Sequence, residues 1–78
     1  MKKEEVLKVI YAEIGKRLKV TNLKPGDKLT DLGGHSRELL QIIANLETTL
    51  HVKIRDFCVN NNPTLDVLSQ KIVSLVGR

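Results

Sequence analysis

Three stretches of this chain repeat apolar side chains every three or four residues. They are Leu7, Ile10, Ile14 and Leu18; then Leu39, Ile43, Leu46 and Leu50; then Leu65, Leu68, Ile72 and Leu75. That spacing lays each set along one face of a helix. A helix cannot bury such a stripe alone, so the three must pack against one another as a bundle. In 78 residues there is room for one domain, 1–78, and one core. With one Tyr, one Phe, no Trp and a single Cys, that core is aliphatic and holds no disulfide. Cys58 reads as a small buried apolar residue.

The ends of the helices are marked by polar residues and by breaks. Val6 and Tyr11 widen the first stripe, and Glu4 and Glu5 sit where carboxylates favour the helix dipole. Glu4 with Lys8 and Glu13 with Arg17 are i,i+4 pairs of the favourable order. Gly15 interrupts this helix at a cost of about 1 kcal/mol against Ala, which suggests a close approach of another segment. From Val20 to His35 the helical period stops. Lys24-Pro25-Gly26-Asp27 is a turn signal, and Val20, Leu23, Leu29 and Leu32 are anchors for a long loop. Ser36 follows two glycines and His35 and starts the second helix, with Ile42 beside its stripe and Arg37, Gln41, Ala44 and Thr48 on the far side. That helix ends near His51. Val52, Ile54 and Phe57 fit a short strand or one helical turn. A lone strand would lack a partner, so the expectation is a short helix near Arg55–Val59. Asn60 to Pro63 reads as a loop, and Thr64 caps a last helix that has Asp66 in its first turn, Val76 beside its stripe and Gly77 at its close. The expected fold is all-α: a four-helix bundle of three longer helices and one short one, with a long loop between the first two.

The chemistry concentrates at Asp31-Leu32-Gly33-Gly34-His35-Ser36. Two glycines permit a tight turn and leave room beside the serine. A helix start favours anions, so a phosphodiester on Ser36 would sit in a suitable field, partly offset by Glu38. His35 is adjacent in sequence, but neighbours on a helix point to different sides, so it is a poor general base for Ser36. His51 has no cluster of metal-ligating residues around it in the sequence.

These residues, together with Leu23 to Leu29, Phe57 and Pro63-Thr64-Leu65, resemble the acyl and peptidyl carrier protein family over nearly the whole chain. Leu-Gly-Gly-His-Ser looks more like the peptidyl carriers of nonribosomal synthesis, since fatty-acid carriers usually have Asp before the serine. The resemblance implies a carrier, not an enzyme. A phosphopantetheinyl transferase would attach 4'-phosphopantetheine from coenzyme A to Ser36, beside Gly33, Gly34 and His35. The arm would hold an acyl or aminoacyl group as a thioester in fatty-acid, polyketide or nonribosomal-peptide type biosynthesis. An acyl- or aminoacyl-activating ligase or adenylation enzyme would supply the cargo, and a downstream synthase or transferase would take it. Arg37, Glu38, Gln41, Ala44 and Thr48 are the expected partner-contact residues.

The chain also departs from the family. After the serine the family usually has an apolar residue, often Leu; here it is Arg37. Fatty-acid carriers tend to have an acidic and a larger apolar residue where Gln41 and Ala44 stand. They are strongly acidic, whereas this chain carries a formal charge of +4. Arg37 is therefore expected to select a partner with an acidic or hydrogen-bonding patch. A carrier-like binding module that never takes the arm is a second reading. A basic nucleic-acid-binding domain is a third, but the charge argues against it. It gathers at the two ends of the chain, without a dense basic run or aromatics to stack on bases, and the segment from Ser36 to His51 is net −1. A lone cysteine suits a reducing compartment, the N-terminus lacks a signal-like apolar run, and no segment nears the roughly 20 apolar residues of a membrane span. A cytoplasmic monomer is expected. The N-terminal Met and full first helix favour a stand-alone protein over a piece of a larger synthase.

Overall fold

The computed structural model describes residues 2–20, 22–32 and 36–76, and for Ser36 the backbone alone. Four helices run in the order α1 (Lys3–Leu18), α2 (Ser36–Leu50), α3 (Arg55–Asn61) and α4 (Leu65–Val76). Among the described residues there is no strand, only an isolated bridge between Lys28 and Thr64. The fold is the expected all-α bundle, with its long loop between α1 and α2.

The buried face of α1 is centred one residue from the expected stripe. Val6, Ile10 and Ile14 are wholly buried, while Leu7, Tyr11 and Leu18 are half-buried at its edges. α1 packs against both α4 and α2, so its i,i+4 row faces the bundle axis and the flanking residues seal the two seams. In α2 the same correction applies. Ile42, Ile43, Leu46 and Leu50 are buried, and Leu39 is only half-buried. In α4, Leu65, Leu68 and Ile72 are wholly buried, and Leu75 and Val76 half-buried. Ser69 shares that buried face, a position the apolar period did not mark. It is tolerated because its hydroxyl donates to the Asp66 carbonyl (2.7 Å) and leaves no polar atom unpaired.

Helix ends follow the sequence signals closely. The Glu5 carboxylate accepts the Lys2 N–H (3.3 Å) at the start of α1. α1 ends at Lys19, whose left-handed backbone (φ 55°) turns its N–H onto the Gly15 carbonyl (2.9 Å). The chain then doubles back, and a Cβ at Gly15 would lie 3.3 Å from the Val20 carbonyl oxygen. Gly15 therefore marks the expected close approach. His51 (φ 55°) ends α2 in the same left-handed way. The short helix α3 is longer than expected. Asn60 and Asn61 belong to it, and only Asn62, left-handed at φ 43°, breaks it with its N–H on the Cys58 carbonyl (3.0 Å). Asparagine tolerates that conformation, so one of the three asparagines makes the break. The connection into α3 is not strand, yet Val52 and Ile54 are buried in it.

Candidate functional site

Ser36 is the first residue of α2, as expected; Gly33, Gly34 and His35 lie outside the described residues. What the structure explains is why the chain arrives at this point. Within the loop, Asp27 closes a turn: its N–H reaches the Lys24 carbonyl (3.0 Å) and its carboxylate accepts the Lys24 N–H (2.9 Å). The carbonyls of Asp27 and Pro25 then accept the first free N–H groups of α4, from Leu65 and Asp66 (2.8 Å each). The Thr64 hydroxyl accepts the Val67 N–H (3.2 Å). The loop thus supplies acceptors that a helix start lacks. The loop's second half is not wholly irregular. Leu29–Leu32 forms a 3₁₀ turn that buries Leu29 in the core and ends just before the glycine pair. Thr30 donates to the Asn62 side chain (3.3 Å), tying this turn to the end of α3. On the other side, α2 is held by its own buried row. The loop as far as Leu32 and the helix beyond the serine are both anchored.

Of the expected partner-contact residues, Arg37, Gln41, Ala44 and Thr48 are exposed and Glu38 is half-buried. The structure brings the four exposed ones to one side of α2. Two of them also have internal roles. The Gln41 amide donates to Asn45 (2.9 Å), which in turn donates to Glu13 of α1. Glu13 also faces Arg17 (3.8 Å), so the expected i,i+4 pair is formed. The Thr48 hydroxyl donates back to the Ala44 carbonyl (3.1 Å). A second ion pair, Lys3 with Asp66, joins the starts of α1 and α4, and burial with the nearby Asp27 and Asp66 carboxylates raises the Tyr11 phenol pKa.

Glu47 was not marked by the sequence pattern. It lies half-buried on α2, and its carboxylate accepts the N–H groups of Ile54 (2.8 Å) and Arg55 (3.2 Å) at the start of α3. A helix start without a side-chain cap of its own is thus capped from a neighbouring helix. Glu47→Ala leaves the Ile54 N–H without its acceptor inside the core and is expected to cost about 1–3 kcal/mol. Amide exchange would speed up first in α3. Exchange rates there equal to wild type would show that the cap contributes nothing.

An apolar groove of about 380 Å³ opens beside the first turns of α2. Leu39, Leu40 and Ile43 line it from α2, Leu29 from the 3₁₀ turn, and Cys58 and Val59 from α3. Cys58 is buried as expected, and desolvation, with a smaller contribution from Glu47, pushes its thiol up from 9.0 to about 11. The native thiolate fraction near neutrality is about a hundredfold below that of the unfolded chain, so iodoacetamide should alkylate native Cys58 about a hundredfold more slowly. Equal rates in native and urea-unfolded protein would overturn this. The linkage has a definite sign. The native state holds this proton more tightly, so its contribution to stability is complete below pH 9.0 and is lost as pH rises through about 11.

Among the described residues no group of three His, Cys, Asp or Glu side chains could hold a metal ion, and no helix is long and apolar enough to cross a membrane. No curated protein and no solved structure matches the chain. A family model does: that of the phosphopantetheine attachment site, over residues 8–72. The match takes in α2 and its opening serine, the anchored loop before it, and most of α4. The chain therefore belongs to the phosphopantetheine-binding family of acyl and peptidyl carrier domains, whose members carry covalently attached 4'-phosphopantetheine.

Proposed function

We propose that the chain is a non-catalytic covalent shuttle whose phosphopantetheine arm is attached at Ser36. The observation that carries this reading is the position of Ser36. It opens a 15-residue helix, within the matched residues, at the end of an anchored loop. The surroundings fit the group. The start of α2 favours a phosphodiester, the adjacent Arg37 is an exposed cation, and the first turns of α2 border an apolar groove. When bound, the arm supplies a thiol that holds an acyl or aminoacyl cargo as a thioester. The chain's own residues present that arm: Ser36 holds it at the start of α2, and Leu39, Leu40 and Ile43 offer apolar surface beside it.

The reading places the protein in fatty-acid, polyketide or nonribosomal-peptide type biosynthesis, in the cytoplasm. Its partners are a phosphopantetheinyl transferase, an activating ligase or adenylation enzyme, and a downstream synthase or transferase. These meet the face of α2 that carries Arg37, Glu38, Gln41, Ala44 and Thr48. The test is intact mass after incubation with coenzyme A, Mg²⁺ and a broad-specificity phosphopantetheinyl transferase. One arm's worth of added mass is expected. No gain under conditions that load a control carrier would leave the protein a carrier-like binding module.

A further inference from the structure

The loop before Ser36 is fastened to a part of the chain far from it in sequence, the junction between α3 and α4. The carbonyls of Asp27 and Pro25 accept the N–H groups of Leu65 and Asp66 (2.8 Å each), and Lys28 bridges to Thr64. Further along, the Thr30 hydroxyl donates to the Asn62 side chain (3.3 Å). The first set uses backbone atoms and serves the start of α4. The last uses side chains only. Among the described residues it is the only side-chain hydrogen bond that joins the turn Leu29–Leu32 to another element.

That turn needs a fastening. Leu29 is buried, but Thr30 and Asp31 are exposed and Leu32 is half-buried. A segment with few buried groups opens locally at low cost. The turn also ends four residues before Ser36, within about 14 Å of extended chain. Its hold therefore governs how the chain approaches the serine from the loop side. Asn62 does two things at this point. Its left-handed backbone (φ 43°) ends α3, and its side-chain oxygen accepts the Thr30 hydroxyl. Glycine and aspartate both tolerate that backbone, so the two roles can be separated.

We propose that Thr30 and Asn62 are positioning residues for attachment of the arm: their bond holds the turn that leads to Ser36, so the transferase meets the serine with its approach already ordered. This rests on the function proposed above. In loading, the Ser36 hydroxyl gives up its proton to a base of the transferase and its oxygen bonds to the phosphorus that bears the pantetheine. The pyrophosphate bond of coenzyme A breaks, and adenosine bisphosphate leaves. Thr30 and Asn62 touch none of these atoms. They set the fraction of chains whose approach is ordered. Lowering that fraction weakens apparent binding by the same factor and leaves the chemical step alone.

The test is the rate of loading of the full chain, followed by intact mass over a range of carrier concentrations, beside amide exchange at Asp31 and Leu32. Thr30→Val and Asn62→Gly should each raise the KM for the carrier about two- to fivefold, the size of one exposed hydrogen bond, with kcat unchanged. The double variant should be no worse than either single, because both remove the same bond. Thr30→Ser and Asn62→Asp keep the donor and the acceptor and should restore the wild-type KM. Exchange at Asp31 and Leu32 should be faster in the two variants that lose the bond. Asn61→Ala is the matched control. Its amide donates to the Phe57 carbonyl (3.0 Å) within α3, so the change removes a bond without touching the turn and should load like wild type. Equal KM in Thr30→Val and wild type, a loss in Asn61→Ala as large as that in Asn62→Gly, or additive losses in the double variant would each overturn the proposal. The two readings fail separately. A wild type that loads with a KM indifferent to these changes refutes the positioning role alone. A wild type that never loads, where a control carrier does, refutes the carrier function and any role in loading with it, while exchange at Asp31 and Leu32 still reports whether the bond holds the turn.

Discussion

Ser36→Ala is expected to gain no mass from coenzyme A and the transferase, while wild type is converted fully. The effect is all or none, because the proposed attachment point is a single oxygen. Of the other serines, Ser69 is wholly buried and its hydroxyl is spent on the Asp66 carbonyl. Ser74 is exposed, but it lies late in α4, where the dipole disfavours an anion. Ser74→Ala should therefore load like wild type and serves as the control. Folding should survive the change at Ser36. Loss of a hydroxyl at a helix start costs about 1 kcal/mol, and the α2 row of Ile42, Ile43, Leu46 and Leu50 is untouched. A melting curve displaced by only a few degrees, together with no loading, separates loss of the attachment atom from loss of structure. Loading of Ser36→Ala would move the site elsewhere.

Leu68→Ala should have the largest effect on stability. Leu68 is wholly buried on α4, the helix that packs most extensively on α1. Truncating a buried leucine costs about 2–5 kcal/mol, depending on how far the cavity collapses. A native domain of this size is stable by about 4–12 kcal/mol, so the change removes a large share of the total. With each kcal/mol worth about 4–8 °C in a domain this small, the melting point should fall by at least about 8 °C. Leu40→Ala is the matched comparison. The same chemical change on an exposed ridge should stay within about 0.5 kcal/mol in urea titrations. If the two variants melted together, either the buried row of α4 or the exposure of Leu40 would be misassigned.

The carrier motif and the bundle were legible because their signals are local. Apolar residues three and four apart define a helix whatever lies beyond it. Glycine, asparagine and serine announce turns and caps through their own backbone preferences. Even the close approach at Gly15 left a trace, as a poor helix former inside a helix. The errors were also local in origin. Periodicity centres the stripe on α1 at Leu7 and Leu18 with Val6 at its edge, because it gives a face only to within one residue; the seams with α2 and α4 put Val6 at the centre. The run of asparagines read as loop because each residue tolerates a break, but only Asn62 takes the left-handed conformation.

Glu47 and Arg55 mark the boundary. In the sequence each is one more charged residue near a helix end. Folding turns the carboxylate of the first onto the start of α3 and sets the second in one groove with Arg37. The residue after the proposed attachment serine and its unusual charge were plain from the chain. The second guanidinium beside it was not, because residues 18 positions apart meet only through the angle at which α2 and α3 pack. Periodicity and caps belong to neighbouring residues and are written in order. A surface shared by two helices depends on how their buried faces fit, and no short stretch of sequence carries that information.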